Sequence, residues 1–247
     1  MKTIVLDIET ITDQDACARA GVDPTEEFPA WPLHQLMCVS LLTVVEGTRS
    51  SGIQFTIETF SRVNTSERGI VAQVERRLES AQEVLTFNGR AWDVPILLAR
   101  AAVAGERVPS IARAHGRRHP GFHSDLIDEV TANGAAVRPK LLDLCAGLGI
   151  PAKLEAARGG VAELAAAGDY GRISRYCETD VVATWLAAQL WRSVDEPEQA
   201  TERWTAVAGW VRSDQPRLAH LLPYCSVPVM PGGGRALHAE SVASILL

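Results

Sequence analysis

The 247-residue sequence lacks the features of a membrane protein, a structural zinc protein and a disulfide-rich secreted protein. No apolar run approaches the roughly 18 residues of a membrane span. The five cysteines are odd in number and form no C-x-x-C pair, which argues against structural zinc and a disulfide framework. Asp7 interrupts the apolar N-terminal stretch, so no secretory signal is predicted. We therefore expect a cytoplasmic protein with no membrane partner.

Positive charge is also scarce, with 24 Lys and Arg against 30 Asp and Glu and a formal net charge of -6. This balance argues against a nucleic-acid coat protein. Residues 90–140 are the exception, because they contain 8 Lys and Arg against 5 Asp and Glu. The remaining composition, with 47% hydrophobic and 22% charged residues, is typical of one globular domain or one domain with an extension.

A pair of carboxylates follows the first apolar segment of the chain. Asp7 and Glu9 form a D-x-E motif at the end of a short β-branched strand predicted over residues 3–7. Because side chains alternate along a strand, the two carboxylates are expected to point to the same side. Taken alone, such a motif is structural at least as often as it is functional.

Two further motifs, read together with the first, favour a functional interpretation of all three. Asn88 and Asp93 form an N-x4-D motif after a predicted strand, and Tyr176 and Asp180 form a Y-x3-D motif on one face of a predicted helix. Each pattern is common by itself. In this order, however, the three are what a two-metal nuclease requires. Crowded carboxylates repel one another, and the usual remedy is a hard divalent cation with oxygen ligands.

The order of the predicted elements indicates an α/β or α+β layered fold, a central mixed β-sheet flanked by helices. The acidic motifs are expected to meet at one edge of the sheet. A long irregular loop is predicted over residues 12–33, and Asn64 with Glu67 resembles a helix capping box. The predicted strands are 3–7, 35–45, 53–60 and 83–87. The predicted helices are 67–80, 93–103, 125–132, 139–148, 160–167, 171–193 and 197–212.

Together these motifs resemble the DEDD superfamily of 3'-5' exonucleases, and the Y-x3-D motif resembles its tyrosine subgroup. More closely, the chain is similar to the stand-alone predicted 3'-5' exonucleases related to the proofreading domain of family B DNA polymerases. The resemblance implies a ribonuclease H-like domain over residues 1–195, followed by a C-terminal extension over 196–247 to which no counterpart is assigned. It is carried by Phe87-Asn88-Gly89, Trp92-Asp93, His123-Ser124-Asp125-Leu126, Gly149-Ile150-Pro151 and Tyr176-Cys177-Glu178-Thr179-Asp180.

The resemblance also implies how a catalytic site would work. Asp7 would bridge two divalent cations, Mg²⁺ or Mn²⁺, with Glu9 and Asp180 on one cation and Asp93 on the other. Tyr176 would orient the attacking water. The expected substrates are 3' ends of single-stranded or frayed DNA, cleaved to nucleoside monophosphates, and a DNA polymerase or repair protein is an expected partner. An RNA exonuclease and a catalytically silent polymerase-associated subunit are alternative interpretations, although the intact acids argue against silence.

Nucleic-acid contacts are predicted on both sides of the second motif. Thr10, Asn88 and Trp92 are candidates beside the acids, and Trp92 is either a platform for a base or part of the core, as is Phe87. The basic run 113–119 is either a solvated loop or a phosphate-binding surface. Its candidates are Arg117 and Arg118, and weaker candidates for the same role are Arg138, Lys140, Lys153 and Arg158.

Three polar residues within the motifs are assigned supporting roles. Glu178 is expected on a different helix face from Tyr176 and Asp180, where it is solvated or salt-bridged. Asp125 is interpreted as a helix cap or as a group that supports the site. His123 is interpreted as a buried hydrogen-bonding histidine and not as a metal ligand.

Overall fold

The computed structural model describes residues 1–47, 52–116, 121–152 and 160–227. Five strands form one sheet in the order β3-β2-β1-β4-β5. β1 and β2 are antiparallel, as are β2 and β3, whereas β4 runs parallel to both β1 and β5. The strands are β1 (Lys2–Thr12), β2 (His34–Glu46), β3 (Ile53–Ser61), β4 (Glu83–Thr86) and β5 (His123–Asp125). The predicted mixed sheet flanked by helices is confirmed.

Ten helices and two short 3-10 segments, Trp31–Leu33 and Ala219–Cys225, complete the described part of the chain. None of the described helices is long and apolar enough to cross a membrane. The helices are α1 (Gln14–Ala20), α2 (Glu67–Leu78), α3 (Asp93–Ala104), α4 (Pro109–His115), α5 (Leu126–Val130), α6 (Leu141–Leu148), α7 (Gly160–Ala166), α8 (Tyr170–Arg192), α9 (Pro197–Ser213) and α10 (Gln215–Leu218).

The side chains of β1 point alternately to the two faces of the sheet, and this determines which residues each face carries. Ile4 and Leu6 pack with α2, α3 and α4 on one face, and Val5 packs with α8 and α9 on the other. Since side chains alternate with a period of two, Asp7 and Glu9 belong to the same face as Val5. The D-x-E motif therefore faces the layer that contains α8.

β1 and the segment after it differ from the sequence-based prediction. The strand continues through the D-x-E motif to Thr12, with a register shift against β2 between Glu9 and Thr10. Residues 12–33 are not one irregular loop, because they contain α1 and a 3-10 segment. The Asp13 side chain caps α1 by accepting from the Ala16 N–H at 3.0 Å. A seven-residue helix carries too short a periodic pattern to stand out among prolines.

The start of α2 and the presence of α4 are two further differences. Ser66, and not Asn64, caps α2, since its hydroxyl accepts from the Gly69 N–H at 3.1 Å. Glu67, the expected capping-box partner, accepts instead from the Leu36 N–H and ties the helix to β2. α4 was not predicted, and its last turn contains Arg113 from the run interpreted as a basic loop.

Residues beyond 195 pack in the same apolar cluster as α8, which generates a stability prediction. Trp204 on α9 is fully buried with Trp185 on α8, and its Nε1–H donates to the Tyr224 carbonyl at 2.8 Å. We expect Trp204→Ala to lower the free energy of unfolding by about 3 to 5 kcal/mol in a single cooperative urea transition. Trp191→Ala, at a residue that is 39% exposed, should cost less than about 1 kcal/mol. Equal losses, or two separate transitions in the wild type, would contradict a shared core.

Candidate active site

Residues from all three acidic motifs meet at β1. The Ile8 N–H, between the two acids of the first motif, donates to Asp93 Oδ1 at 3.1 Å. From the opposite side, the Cys177 thiol on α8 donates to Asp7 Oδ2 at 3.3 Å. Asp7 and Asp180 line one cleft of about 440 Å³. The fold thus brings together positions that are more than 170 residues apart in the sequence.

The turn that carries the second motif is held by Asp125. Asn88 adopts a left-handed conformation with φ 63°, and its N–H donates to Asp125 Oδ1 at 2.6 Å. The Arg90 N–H donates to Asp125 Oδ2 at 2.8 Å. A Cβ on Gly89 would lie 2.5 Å from the Cβ of Thr86, so only glycine fits there. Asp125 also caps α5, in agreement with its interpretation as a cap and supporting group.

Burial and a neighbouring negative charge both act on Asp93. It is 4% exposed at the first residue of α3. Burial raises its pKa well above the usual range, and the negative charge of Asp7 raises it further. The Ile8 hydrogen bond opposes this shift without reversing it. A cation between Asp7 and Asp93 would stabilise the ionised form of both side chains.

The donor set fits hard divalent cations. Ligand atoms of Asp7, Glu9 and Cys177 lie within 4.8 Å of one another. The Cys177 thiol is fully buried, and burial together with Cys38 raises its pKa well above the usual range. A protonated thiol donates a hydrogen bond to Asp7 and does not bind metal. The ligands that remain are carboxylate oxygens, the type that Mg²⁺ and Mn²⁺ prefer.

α8 presents the third motif and separates it from Glu178. Tyr176 is half-buried and Asp180 is 4% exposed, one turn apart on the helix. Glu178 turns away toward His220, with 2.7 Å between its Oε2 and the His220 Nε2. Burial acts to raise the pKa of Glu178, but hydrogen bonds from His220 and Thr59 outweigh it and leave the pKa below its usual value. This contact agrees with the interpretation of Glu178 as a solvated or salt-bridged residue on a different helix face from Tyr176 and Asp180.

His123 is buried and fully engaged, as interpreted from the sequence. Its Nε2 is 2.8 Å from Thr86 Oγ1, and its Nδ1 is 2.7 Å from the Ala114 carbonyl. Burial lowers its pKa to about 4. Both ring nitrogens are therefore used in joining β4, β5 and α4.

Thr10 and Trp92 both contact His34, and Trp92 also packs in part against the apolar cluster formed with α2, α3 and α4. Thr10 Oγ1 is hydrogen-bonded to His34 Nδ1 at 3.2 Å, and the Trp92 ring meets the His34 ring edge-on at 4.9 Å between centroids. Phe28 stacks on Trp92 at 5.7 Å yet remains 78% exposed. Phe87 packs against the core around α8 and also lines the cleft that contains Asp7 and Asp180. Phe28 was missed because it falls in the segment predicted to be irregular.

The basic candidates divide into two groups. Arg117 and Arg118, with Lys153 and Arg158, lie outside the described residues. Arg138 and Lys140 line the cleft that contains Asp7 and Asp180. The structure therefore places the weaker of the sequence candidates beside the acids.

A second contact that the sequence did not predict joins Tyr224 to α8. The Tyr224 hydroxyl donates to the Thr179 carbonyl at 3.0 Å. Tyr224 is fully buried, and burial and the charge of Asp180 raise its pKa well above the usual range. No motif marks Tyr224 in the sequence, since a single tyrosine after a helix carries no periodic signal.

The sequence and the fold both match known exonuclease-related proteins. Residues 26–225 match a protein family described as predicted 3'-5' exonucleases related to the exonuclease domain of PolB. The match begins after the D-x-E motif, so the assignments of Asp7 and Glu9 rest on geometry and on the resemblance of the motifs. No curated protein sequence matches the chain.

Two solved structures are among those to which the chain is similar. The family B DNA polymerase from the archaeon Pyrobaculum calidifontis is 16% identical over 88% of this chain and 29% of the polymerase chain, with a TM-score of 0.54. Exonuclease I from E. coli in complex with a dT13 oligonucleotide is 12% identical over 88% and 45% of the two chains, with a TM-score of 0.47. The chain therefore spans less than a third of the polymerase. The polymerase similarity confirms the predicted ribonuclease H-like fold.

Burial and the charge of Asp7 disfavour the ionised form of Asp93. This leads to a prediction about the stability of the protein in the absence of divalent cations. An acid whose folded pKa is raised loses stability as the pH rises above its unfolded value. We therefore expect Asp93→Asn to raise the melting temperature at pH 7, because the amide can still accept from Ile8 without a buried charge. The gain should shrink toward pH 4, where the unfolded carboxyl is also protonated.

The control is Asp195→Asn, at an exposed acid, measured by the same thermal unfolding. Addition of Mg²⁺ or Mn²⁺ should stabilise the wild type more than Asp93→Asn, since only the wild type keeps the ligand. A lower melting temperature in metal-free Asp93→Asn at pH 7 would contradict the repulsion between Asp93 and Asp7.

Proposed function

Because the chain belongs to the family of predicted 3'-5' exonucleases related to the exonuclease domain of PolB, we propose that it hydrolyses single-stranded or frayed DNA from the 3' end with two divalent cations. The description of this family supports a 3'-5' exonuclease activity. The finer proposal is supported above all by one observation, the convergence of Asp7, Asp93 and the α8 motif on β1. The products would be nucleoside monophosphates.

The proposed ligands of the two cations are Asp7, Glu9, Asp93 and Asp180. When bound, Mg²⁺ or Mn²⁺ would lower the pKa of a water molecule and stabilise the charge that develops on the leaving oxygen. The four carboxylates would hold the two cations in place. The Asp7 carboxylate accepts from Cys177 on α8, and its charge also acts on Asp93 on α3, which supports a bridging position for this carboxylate.

Tyr176 is proposed to orient the attacking water, which would place the enzyme in the tyrosine subgroup. Its phenol is half-buried on α8, one turn before Asp180, so the two side chains share a helix face. A hydroxyl in this position can both accept from and donate to water. Its contribution would be positioning, and the carboxylates would hold the cations.

A single-stranded substrate is supported by the depth of the acids. Asp93 and Asp180 are each 4% exposed, so a reacting phosphate has to enter the cleft between α8 and the Asn88 turn. A duplex end would have to fray to reach it. Asn88, which lines the cleft, and Thr10 and Trp92, which follow the first acids and precede Asp93 in the sequence, are proposed to contact the terminal nucleotides. The exposed ring of Phe28, stacked on Trp92, would extend this surface.

The first functional prediction is cation-dependent cleavage with 3' polarity. With Mg²⁺ or Mn²⁺, a 5'-labelled single-stranded DNA oligomer should shorten stepwise, and EDTA should stop the reaction because the carboxylate site needs a hard cation. Blunt duplex DNA should react more slowly. RNA of the same sequence, tested in parallel, shows whether the enzyme prefers deoxyribose or ribose in its substrate. Activity after exhaustive chelation, or release of the 5' label in the first product, would contradict the proposal.

A second prediction separates Tyr176 from the acids. Asp180→Asn should abolish measurable turnover because a cation ligand is lost, whereas Tyr176→Phe should lower kcat by at most roughly 10²- to 10⁴-fold, the range for a positioned proton-transfer group. Tyr170→Phe is the matched control, because Tyr170 begins the same helix and should leave kcat unchanged. A Tyr176→Phe enzyme with wild-type kcat would remove Tyr176 from the site.

A further inference from the structure

The cleft beside the acids has a basic wall. Asp7 and Asp180 lie in the same cleft of about 440 Å³ as Arg138 and Lys140. Both basic side chains are exposed, and they stand on the segment before α6. Acids alone would repel a polyanion, so cations across the same cleft change what it can bind.

Arg138 is anchored through a relay of polar contacts. Its Nη1 donates to Asn88 Oδ1 at 3.3 Å. Asn88 is itself held by Asp125, which is 2% exposed and accepts from its N–H. The guanidinium is thus directed by the same turn that places Asp93. A side chain held by a neutral amide keeps its full charge for another partner.

Neither cation is neutralised by an acid within the part of the chain that the structure describes. Arg138 and Lys140 form no ion pair among those residues, and the one side-chain contact of Arg138 is with the neutral amide of Asn88. By contrast, Arg77, Arg100 and Arg192 each pair with a carboxylate. Two unpaired cations at the mouth of an acidic cleft suit an anionic group of the substrate.

The position of the pair indicates which anion it would bind. On the proposed function, on which this inference rests, the scissile phosphate lies at Asp7 and Asp180 and the 3' nucleoside ends the strand. The next anion on the chain is the phosphate on the 5' side of the scissile bond. We propose that Arg138 and Lys140 form a subsite for this neighbouring phosphate, with Arg138 positioned by Asn88.

The test compares two substrates that differ in this phosphate. A single-stranded oligonucleotide has it, whereas the p-nitrophenyl ester of thymidine 5'-monophosphate offers one hydrolysable phosphodiester and no neighbour. In Arg138→Gln/Lys140→Gln, kcat/KM for the oligonucleotide should fall roughly 10- to 100-fold, mainly through KM. Hydrolysis of the ester should change less than about twofold. Arg138→Lys/Lys140→Arg keeps both charges and should restore most of the loss.

A binding measurement gives a second readout that does not depend on turnover. Fluorescence anisotropy of a labelled oligonucleotide, with Ca²⁺ in place of Mg²⁺, yields the slope of log Kd against log salt. The Gln double variant should reduce this slope by about 1 to 2. Arg76→Gln/Arg107→Gln removes two exposed charges outside the cleft and should leave the slope unchanged. Circular dichroism checks that all variants are folded.

Three outcomes would overturn the inference. Equal losses on both substrates would place the pair at the scissile phosphate, and an unchanged oligonucleotide KM would leave it as a solvated surface. A salt slope equal to that of the wild type would show that no phosphate is bound. If the wild type cleaves neither substrate, the proposed function fails, while the salt slope still decides whether the basic wall binds phosphate.

Discussion

The close packing of α8 across β1 is the contact on which the site depends. Val5 and the apolar residues of α8 form one buried cluster, and this apolar burial brings the helix against the strand that carries the first acids. Cys177 marks the point of approach, since its thiol lies 3.3 Å from Asp7 Oδ2 and 3.4 Å from the Asp7 carbonyl. A larger side chain there would push α8 away from β1. Tyr176 and Asp180, which flank Cys177 on the helix, would move with it.

The same packing carries an electrostatic cost. Asp93 and Asp180 are almost fully buried beside Asp7, and burial and like charge both raise the pKa of Asp93. Such a group destabilises the fold at neutral pH unless a cation or a proton compensates. The burial of apolar side chains on both faces of the sheet stabilises the fold and opposes this electrostatic destabilisation. Local conflict of this kind is expected where a site serves chemistry at the expense of stability.

The sequence predicted those parts of the site that depend on period and order. The period of two along β1 put Asp7 and Glu9 on one side, and the helical period put Tyr176 and Asp180 on one face. What it missed depends on contacts between distant segments. The bulge after Glu9 arises from pairing with β2, and α1 is too short for a clear period. Arg138 was a candidate from the sequence, but its bond to Asn88 joins residues 50 positions apart, so no local pattern predicts that contact.

The segment after residue 195 supports α8 from the side away from β1. Tyr224 binds the Thr179 carbonyl, and His220 pairs with Glu178, so both residues between Cys177 and Asp180 are fixed from outside the site. Arg217 donates to the Ile57 carbonyl on β3 and joins the same segment to the sheet. A helix held on two sides cannot slide along β1 without breaking one set of contacts. The family match, which continues to residue 225, includes all of these contacts.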